Sequence, residues 1–346
     1  MNPMAWSILI TTLSMSTILV MSSHHWLLAW LGLELNTLSI LPMIISPQHP
    51  RATEATTKYF LIQTTAAALI LFASTMNAWQ TGTWDMTLSS STTANAILLA
   101  AILLKMGVAP AHLWYPDIIQ GASLPMALII STWQKLAPLT LLYTTINHLS
   151  PATLMLTGLL SVFTGGWAGL NQTQTRKILA FSSIAHMGWL MLTLTINPHL
   201  TTLTMAIYLL MTTTMFLCLI TTNTKTLHDL GTAWPHSPPL MAATTVTLLS
   251  LGGLPPLTGF MPKLLILKEL TLTGLTMVST LLALMSLPSL YFYTRMAYFT
   301  TLTTPPNVTC ATHKWRFKLN SKTTPPLIMP LTMALLPMTP MIYAYV

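Results

Sequence analysis

Four charged side chains lie inside long apolar stretches, and they are the first candidates for chemistry. They are Glu34, Lys105, Lys135 and Lys263. A charge in the middle of a membrane-spanning helix costs roughly 2.5–3.5 kcal/mol on insertion scales, so it is rarely kept without a use. A buried lysine can release its proton near neutral pH, and a nearby carboxylate tunes that release. The four residues predict a chain of proton carriers. The alternatives are lysines that extend to the membrane surface, or an ion pair that only fastens two helices.

Two of these lysines adjoin sequences that interrupt a helix. Lys105 comes just before Gly107 and Pro110, and Lys263 follows a Gly-Gly-Leu-Pro-Pro run at 252–256. Proline removes a backbone donor and clashes with the preceding turn, so both segments are predicted to be broken helices. The free backbone groups of a broken helix at mid-membrane suit ions and water. Two such segments also suggest an internal inverted repeat.

Two histidines extend the candidate path. His112 follows the first break, and His186 lies four residues after Ser182 on a helix face that Thr193 also joins. A polar lane of this kind inside a membrane span can conduct protons through hydroxyl groups and water. The alternative for each histidine is a hydrogen bond that only packs two helices together.

Composition fixes the class of protein that must position these residues. The 346 residues include only 14 Lys and Arg and 6 Asp and Glu, a charged fraction of 6%, and the mean hydropathy is +0.64. These values exclude a soluble domain and a disordered chain. The net charge of +8 is too dispersed for a nucleic-acid-binding patch. The predicted fold class is all-α, a multi-pass transmembrane helical bundle.

Charge-free runs predict about eleven membrane-spanning segments, of which the fourth and the ninth are the broken ones. The segments cover 3–22, 25–45, 59–79, 93–117, 123–146, 151–170, 178–196, 200–221, 238–270, 273–295 and 325–345. We predict a single membrane domain over 1–346, with a first repeat at 1–146, a second at 151–295 and a terminal helix at 325–345.

The basic residues indicate which loops face the negative side of the membrane. If the N-terminus faces that side, the even-numbered loops hold most of the Lys and Arg residues, a strong positive-inside signal. The residues concerned are Arg51, Lys58, Arg176, Lys177, Lys225, Arg295, Lys314, Arg316, Lys318 and Lys322. The long loop at 296–324 is predicted on the same side, and the C-terminus on the opposite side.

The two cysteines, Cys218 and Cys310, restrict redox chemistry in this chain. An iron–sulfur cluster needs four ligands, and a zinc site needs several closely spaced cysteines and histidines. Neither pattern is present in the sequence, so we expect no metal and no cofactor bound by this chain.

Three stretches of the sequence resemble the antiporter-like membrane subunits of respiratory complex I. They are residues 105–110, 176–188 and 251–263, and the resemblance extends over essentially the whole chain. The length, the Met-Asn-Pro start and the number of spans are similar to the short, vertebrate-type mitochondrial member of that family, which lacks the N-terminal helices of longer relatives.

The resemblance implies a role for each candidate residue. Glu34 would pair with Lys105 on the first broken helix, and Lys135 would be the bridging lysine of the next span. Lys263 would be the lysine of the second broken helix. The two histidines named above would line the hydrated path between these groups.

The function implied by the resemblance is proton translocation across the mitochondrial inner membrane. This chain would be a non-redox subunit of an H⁺-translocating NADH:ubiquinone reductase, with NADH, FMN, iron–sulfur clusters and ubiquinone in partner subunits. Its partners would be neighbouring antiporter-like subunits, small membrane subunits and the lipid bilayer. The N-terminus and the 296–324 loop would face the matrix, and the C-terminus the intermembrane space. A stand-alone cation/proton antiporter is the alternative function, and a subunit that only scaffolds the membrane arm is a third.

Overall fold

The computed structural model describes residues 2–88, 91–234 and 238–301, together with residues 330, 332, 336 and 337. Within these residues the chain is built of helices joined by short turns and two isolated β-bridges. The all-α fold class predicted from the sequence is confirmed. The contacts divide the chain into two compact units, Met1–Thr157 and Gly158–Val346, called here the first and second units. The predicted repeat boundaries stay a prediction.

The first unit begins with three long helices and continues with shorter ones. They are α1 (Pro3–Ser22), α2 (Trp26–Ile45), α3 (Pro50–Thr81), α4 (Thr92–Met106), α5 (Trp114–Gly121), α6 (Leu124–Ser131) and α7 (Leu136–Thr145). Two single 3-10 turns follow α6 and α7, at Trp133–Lys135 and Ile146–His148. The next helix, α8 (Pro151–Gly169), begins in this unit and ends in the second.

The second unit continues from α8 with six helices in the described part of the chain. They are α9 (Thr175–Ile196), α10 (Pro198–Thr222), α11 (Leu227–Thr232), α12 (Pro238–Gly252), α13 (Phe260–Leu272) and α14 (Thr276–Thr301). Across the described ranges, seven helices are long and apolar enough to cross a membrane, namely α1, α2, α3, α8, α9, α10 and α14. The shorter apolar helices α4 and α12 are halves of the broken segments.

Several predicted boundaries are corrected by the structure. The span placed at 59–79 begins at Pro50, and α14 continues to Thr301, past the predicted end at 295. Five basic residues expected in loops therefore lie within helices, namely Arg51, Lys58, Arg176, Lys177 and Arg295. Of the predicted 296–324 loop, residues 302–324 lie outside the described residues, and so does the predicted terminal helix except for a few positions.

Both predicted breaks are present, and both begin at a glycine. Gly107 ends α4 with φ +67°, and Gly253 follows α12 with φ +79°. In each case the next amide bonds back to the helix, from Val108 to the Leu103 carbonyl at 3.1 Å and from Leu254 to the Leu249 carbonyl at 3.3 Å. Glycine reaches this left-handed conformation without steric cost, and the prolines that follow prevent the helix from resuming.

A third interruption separates α6 from α7. The sequence was expected to form one helix over 123–146, but α6 ends at Ser131 and a 3-10 turn carries Lys135 to the start of α7. Pro138 explains the interruption, because it has no N–H for the Gln134 carbonyl and its ring clashes with that carbonyl. Lys105, Lys135 and Lys263 therefore all lie at an interruption of a helix.

Alternate loops of the first unit are joined at one end. The Trp26 amide donates to the Trp84 carbonyl at 3.1 Å, and the Met86 amide donates to the His24 carbonyl, also at 3.1 Å. These bonds tie the loop before α2 to the loop before α4, as expected if both loops lie on the same side of the membrane.

The second unit joins its own alternate loops in the same manner. The Thr175 amide donates to the Lys225 carbonyl at 3.2 Å, and the Arg295 guanidinium donates to the carbonyls of Leu170 and Gln172, both at 2.6 Å. The loops after α8 and α10 and the last turns of α14 therefore meet at one end. This end collects four of the basic residues, namely Arg176, Lys177, Lys225 and Arg295.

Candidate functional site

A polar cavity of about 20 Å³ lies in the first unit, beside the break between α4 and α5. Its polar lining comes from α2, α3, α4 and the interrupted α6–α7 segment. Its polar lining residues include Lys105, Lys135, Asn36, Gln63, Gln134 and Tyr59. This volume is sufficient for about one water molecule, and several of the lining groups can bind it. The cavity brings together two of the lysines predicted from the sequence.

Lys105 reaches this cavity from the last turn of α4. The residue is only 7% exposed, and its Nζ is buried with no hydrogen-bond partner among the described residues. The end of the helix, where carbonyl groups are unpaired, is the most favourable place for a cation along α4. The Lys105 ammonium, which has no hydrogen-bond partner among the described residues, therefore adjoins a space large enough for about one water molecule.

Lys135 reaches the same cavity from the 3-10 turn after α6. It is 2% exposed, and its Nζ lies 4.6 Å from the centroid of the Tyr115 ring on α5. A cation over an aromatic face is attracted by the ring quadrupole, and this attraction is stronger away from water. The Tyr115 ring therefore attracts the Lys135 ammonium group to its place at the cavity.

An amide network that the sequence reading missed fixes the wall of the cavity. The Gln134 Nε2 donates to the Asn36 Oδ1 at 2.8 Å, and the Tyr59 hydroxyl donates to the Gln134 Oε1 at 3.4 Å. The three side chains are mostly buried and come from three different helical segments. The sequence signal for this network is the presence of amide side chains inside apolar stretches, which mark buried polar groups as charged residues do.

Glu34 lies on α2 and is half-buried. The Thr37 hydroxyl donates to its backbone carbonyl at 2.8 Å and to its Oε2 at 3.3 Å. In the described part of the chain the ion pairs are those of Lys58, with Glu54 at 2.7 Å and Asp117 at 3.2 Å. Glu34 and Lys105 form no direct ion pair in this structure. Thr37 also lines the cavity, so its hydroxyl links the Glu34 carboxylate to the cavity lining.

His112 lies in the break itself, between α4 and α5. It is half-buried, and its Nδ1 is buried without a hydrogen-bond partner in the described ranges. It is not among the residues that line the lysine cavity. His112 thus lies on the segment that separates the two half-helices. It is close to Lys105 in sequence but does not line the cavity.

Lys263 occupies a different environment in the second unit. It lies in the first turn of α13, and its Nζ donates to the Gly252 carbonyl at 2.8 Å and the Leu251 carbonyl at 3.5 Å. These carbonyls belong to the C-terminal end of α12, which carries partial negative charge. The Nζ also lies 5.8 Å from the centroid of the Trp189 ring.

His186 and Lys263 line a second small cavity, again of about 20 Å³. The His186 Nε2 lies 3.4 Å from the Tyr293 hydroxyl, and its ring centroid lies 5.5 Å from that of Tyr208. The hydroxyl groups of Ser182 and Thr193, expected on the same polar lane, donate to carbonyls of their own helix. The second cavity is therefore lined by a lysine, a histidine and Tyr208 rather than by a row of hydroxyl groups.

Potential metal ligands are dispersed in the structure. Over the described ranges, no three His, Cys, Asp or Glu residues are grouped so that they could hold a metal ion. Cys218 is a buried free thiol on α10. Cys310 lies outside the described residues.

Comparison with known proteins gives matches over the whole chain. Residues 23–291 match the family model for the transmembrane region of the NADH:quinone oxidoreductase/Mrp antiporter proteins, and residues 290–343 match that for the C-terminus of NADH dehydrogenase subunit 2. NADH-ubiquinone oxidoreductase chain 2 of Salmo salar is 52% identical over 341 residues, which are 98% of each chain. The same chain of Struthio camelus is 51% identical over 344 residues, 99% of each chain.

Two solved structures are similar in fold. One is a chain of respiratory complex I from Thermus thermophilus with bound Aureothin, with a TM-score of 0.85 at 28% identity, over 98% of this chain and 79% of that one. The other belongs to the Mrp complex from Dietzia sp., with a TM-score of 0.82 at 14% identity, over 97% of this chain and 75% of that one. At 14% identity, the second match concerns the fold alone.

Proposed function

Because the chain belongs to the NADH:quinone oxidoreductase/Mrp antiporter family, we propose that it translocates protons as a core membrane subunit of respiratory complex I. The vertebrate relatives, which match over nearly their whole length, confirm the resemblance read from the sequence. Proton movement would be coupled to NADH oxidation and ubiquinone reduction carried out in partner subunits.

The observation that carries the proposal is the cavity shared by Lys105 and Lys135. Two ammonium groups beside one enclosed cavity disfavour each other, because like charges repel strongly at low dielectric. The pair is therefore suited to hold one proton that exchanges between the two amines. One water in the cavity would receive a proton from the Lys105 ammonium while giving one to neutral Lys135. The charge on the protein and the water is the same before and after this step.

Glu34 would control where that proton resides. Its negative charge favours the protonated form of Lys105, and a larger separation would weaken this effect. Thr37 holds the carboxylate, so a movement of this part of α2 changes the electrostatic influence on Lys105. The residues between α4 and α5, which belong to no helix, would allow Lys105 to move in response.

The second unit would provide a further protonatable station. Lys263 shares its cavity with His186, and both groups can carry a proton. The α12 carbonyls stabilise the ammonium form of Lys263, and the Tyr293 hydroxyl can exchange a hydrogen bond with the His186 ring. Under this proposal each unit holds a lysine at a helix break next to space for water.

Redox cofactors would belong to partner subunits. The chain has only two cysteines, which cannot supply the four thiolates of an iron–sulfur cluster. We assign NADH, FMN, iron–sulfur clusters and ubiquinone to other complex I subunits. The nearest partners would be neighbouring antiporter-like subunits and small membrane subunits, embedded with this chain in the bilayer.

The location would be the mitochondrial inner membrane, with the N-terminus in the matrix and the C-terminus in the intermembrane space. The joining of four basic residues at one end of the second unit supports this orientation, because positive charge is retained on the negative side. The basic residues of the 296–324 loop would add to the same side. A protease applied to mitoplasts should leave this loop intact, and cleavage from the outer face would overturn the orientation.

The alternative is a stand-alone cation/proton antiporter, which the fold shared with the Mrp complex brings into consideration. The match to the C-terminus of NADH dehydrogenase subunit 2 favours the complex I subunit. Mild detergent extraction separates the two: a complex I subunit comes out in a large assembly, whereas an antiporter comes out free of NADH-oxidising partners.

The decisive experiment replaces the cavity lysines in the assembled complex. Lys105→Met and Lys135→Met should each lower proton translocation on the order of 100-fold, the usual size of a lost proton-transfer group. Lys268→Met on the exposed face of α13 is the matched control and should leave translocation unchanged. Normal translocation in both cavity variants would refute the proposal. Loss of the assembled complex, with normal translocation by what remains, would show a scaffolding role.

A further inference from the structure

Gly253 lies directly against the side chain of Lys263. It is the residue that follows α12, and its backbone is left-handed with φ +79°. A Cβ atom added to Gly253 would lie 2.8 Å from the Lys263 Cδ, 2.9 Å from its Nζ and 3.1 Å from its Cε. The space where a side chain would stand at position 253 is therefore filled by the end of the lysine.

This position determines what the ammonium group can reach. Lys263 passes over Gly253 to donate to the carbonyls of Gly252 and Leu251. Non-bonded carbon atoms are most stable at about 3.5–4.0 Å, so contacts below 3 Å cannot persist. The lysine side chain is flexible and the backbone at the break is fixed by its hydrogen bonds. A methyl group at position 253 would thus displace the ammonium from its two acceptors.

We propose that Gly253 is a positioning residue for proton transfer at Lys263, because its lack of a side chain lets the ammonium group bind the carbonyl end of α12. The proposal rests on the proposed function of Lys263 as a proton carrier. Main-chain carbonyls are the acceptors of the Lys263 ammonium group, and Gly253 gives access to them.

The chain contains a matched control for the backbone effect. Gly274, after α13, has the same φ of +79°, and a Cβ atom there would meet nothing within 4 Å. Gly253→Ala and Gly274→Ala therefore impose the same left-handed strain, but only the first pushes against Lys263. In the assembled complex, Gly253→Ala should lower proton translocation about tenfold, the size expected from a lost hydrogen bond to a charged group. Gly274→Ala should leave translocation unchanged, and equal losses in both variants would overturn the proposal.

A double-substitution cycle tests whether Gly253 acts through the lysine. Lys263→Ala removes the three atoms that a methyl group would meet, so the double variant Gly253→Ala/Lys263→Ala should translocate no worse than Lys263→Ala alone. If Gly253→Ala does not assemble, the double variant should restore assembly, since the clash is gone. A double variant that is about tenfold worse, or that remains unassembled, would show that Gly253 acts on the backbone instead.

The same variants separate this proposal from the proposed function. Normal translocation in Lys263→Ala would refute proton transfer at this lysine, and with it the function assigned to the second cavity. Impaired translocation in Lys263→Ala with normal translocation in Gly253→Ala would refute the positioning role alone.

Discussion

Lys105 lies in the last turn before its helix break, whereas Lys263 lies in the first turn after its break. The Lys105 ammonium faces a cavity walled by amide side chains, with no hydrogen-bond partner among the described residues. The Lys263 ammonium instead donates to two main-chain carbonyls at the end of the preceding half-helix.

The difference follows from the direction of side chains on a helix. Each Cα–Cβ bond is tilted toward the N-terminus of its helix. Lys105 therefore leans away from the free carbonyls at the end of α4, although it is almost the last residue. Lys263 leans back toward the break and meets the free carbonyls of α12. The order of lysine and break along the chain decides whether the backbone can serve as acceptor.

The largest expected effect is a difference in stability between variants of Lys263 and variants of Lys105. Lys263→Met should lower the stability of the complex by about 2 kcal/mol, because the unpaired α12 carbonyls lose a charged donor. Lys105→Met should leave stability unchanged or raise it, since it removes a buried cation that lacks a hydrogen bond. Midpoints of thermal dissociation of the purified complex measure both. Equal losses of stability in the two variants would show that the α12 carbonyls do not make Lys263 different from Lys105.

The amide network should stabilise only the first cavity. Gln134→Leu leaves the Asn36 side-chain Oδ1 without its donor, which should lower the stability of the complex by about 1.5 kcal/mol. The double replacement Asn36→Leu/Gln134→Leu should recover the part of this loss that comes from Asn36, because only the Tyr59 hydroxyl then lacks its partner. The same thermal midpoints test the cycle. Additive losses would mean that the two amides act independently.

Replacement of Glu34 tests whether proton transfer at Lys105 depends on a nearby carboxylate. Glu34→Gln should leave the complex assembled and slow proton-coupled turnover about tenfold, because a charge is removed without breaking a direct ion pair. The double variant with Lys105→Met should be no worse than the worse single variant. A structural pair behaves differently: Glu34→Gln would cost about 3–5 kcal/mol and lose the assembled complex, and Lys105→Met would restore it.

The smallest expected effect concerns a loop of the second unit, outside the membrane spans. The Asp229 carboxylate accepts hydrogen bonds from the amides of Thr226 at 2.9 Å and Lys225 at 3.1 Å, and these bonds lower the pKa of Asp229. A lowered folded-state pKa stabilises the loop above the unfolded carboxyl range of about pH 4, and this stabilisation is lost as the pH falls through the folded value.

Asp229→Asn should therefore open α11 more easily at pH 7, by about 0.5 kcal/mol, the low end for a helix cap. Amide hydrogen exchange across Leu227–Thr232 measures this opening. At a pH below the folded pKa the two proteins should exchange alike. A difference that persists in acid would show that the carboxylate charge is not the cause.

The sequence predicted the two glycine-initiated breaks because glycine and proline act on the backbone within a few residues. It did not predict the third, at Lys135, since Pro138 has no glycine near it to mark an interruption. The length of α3 was underestimated for a related reason. A helix of 32 residues is about 48 Å long, more than the bilayer core, so the apolar run at 59–79 marks only part of it and leaves out its charged first turns.

The site was predictable only where single residues identify themselves. A lysine in an apolar stretch stands out because burial of its charge costs free energy, so the sequence identifies Lys105, Lys135 and Lys263. The bond between Asn36 and Gln134 joins residues that are far apart in the sequence, and only helix packing brings them together. The separation of Glu34 from Lys105 depends on the same packing, and no spacing rule gives it.

Arg295 holds two loop carbonyls at the end of the second unit, and it is the one kind of cation that never gives up its proton under physiological conditions. Respiration continually alters the acidity of the compartments on either side of a coupling membrane. A histidine or lysine at this position would release the loops whenever the local medium became alkaline enough. With a guanidinium there, the contact between α14 and the loop after α8 keeps its geometry as the acidity of the medium rises and falls.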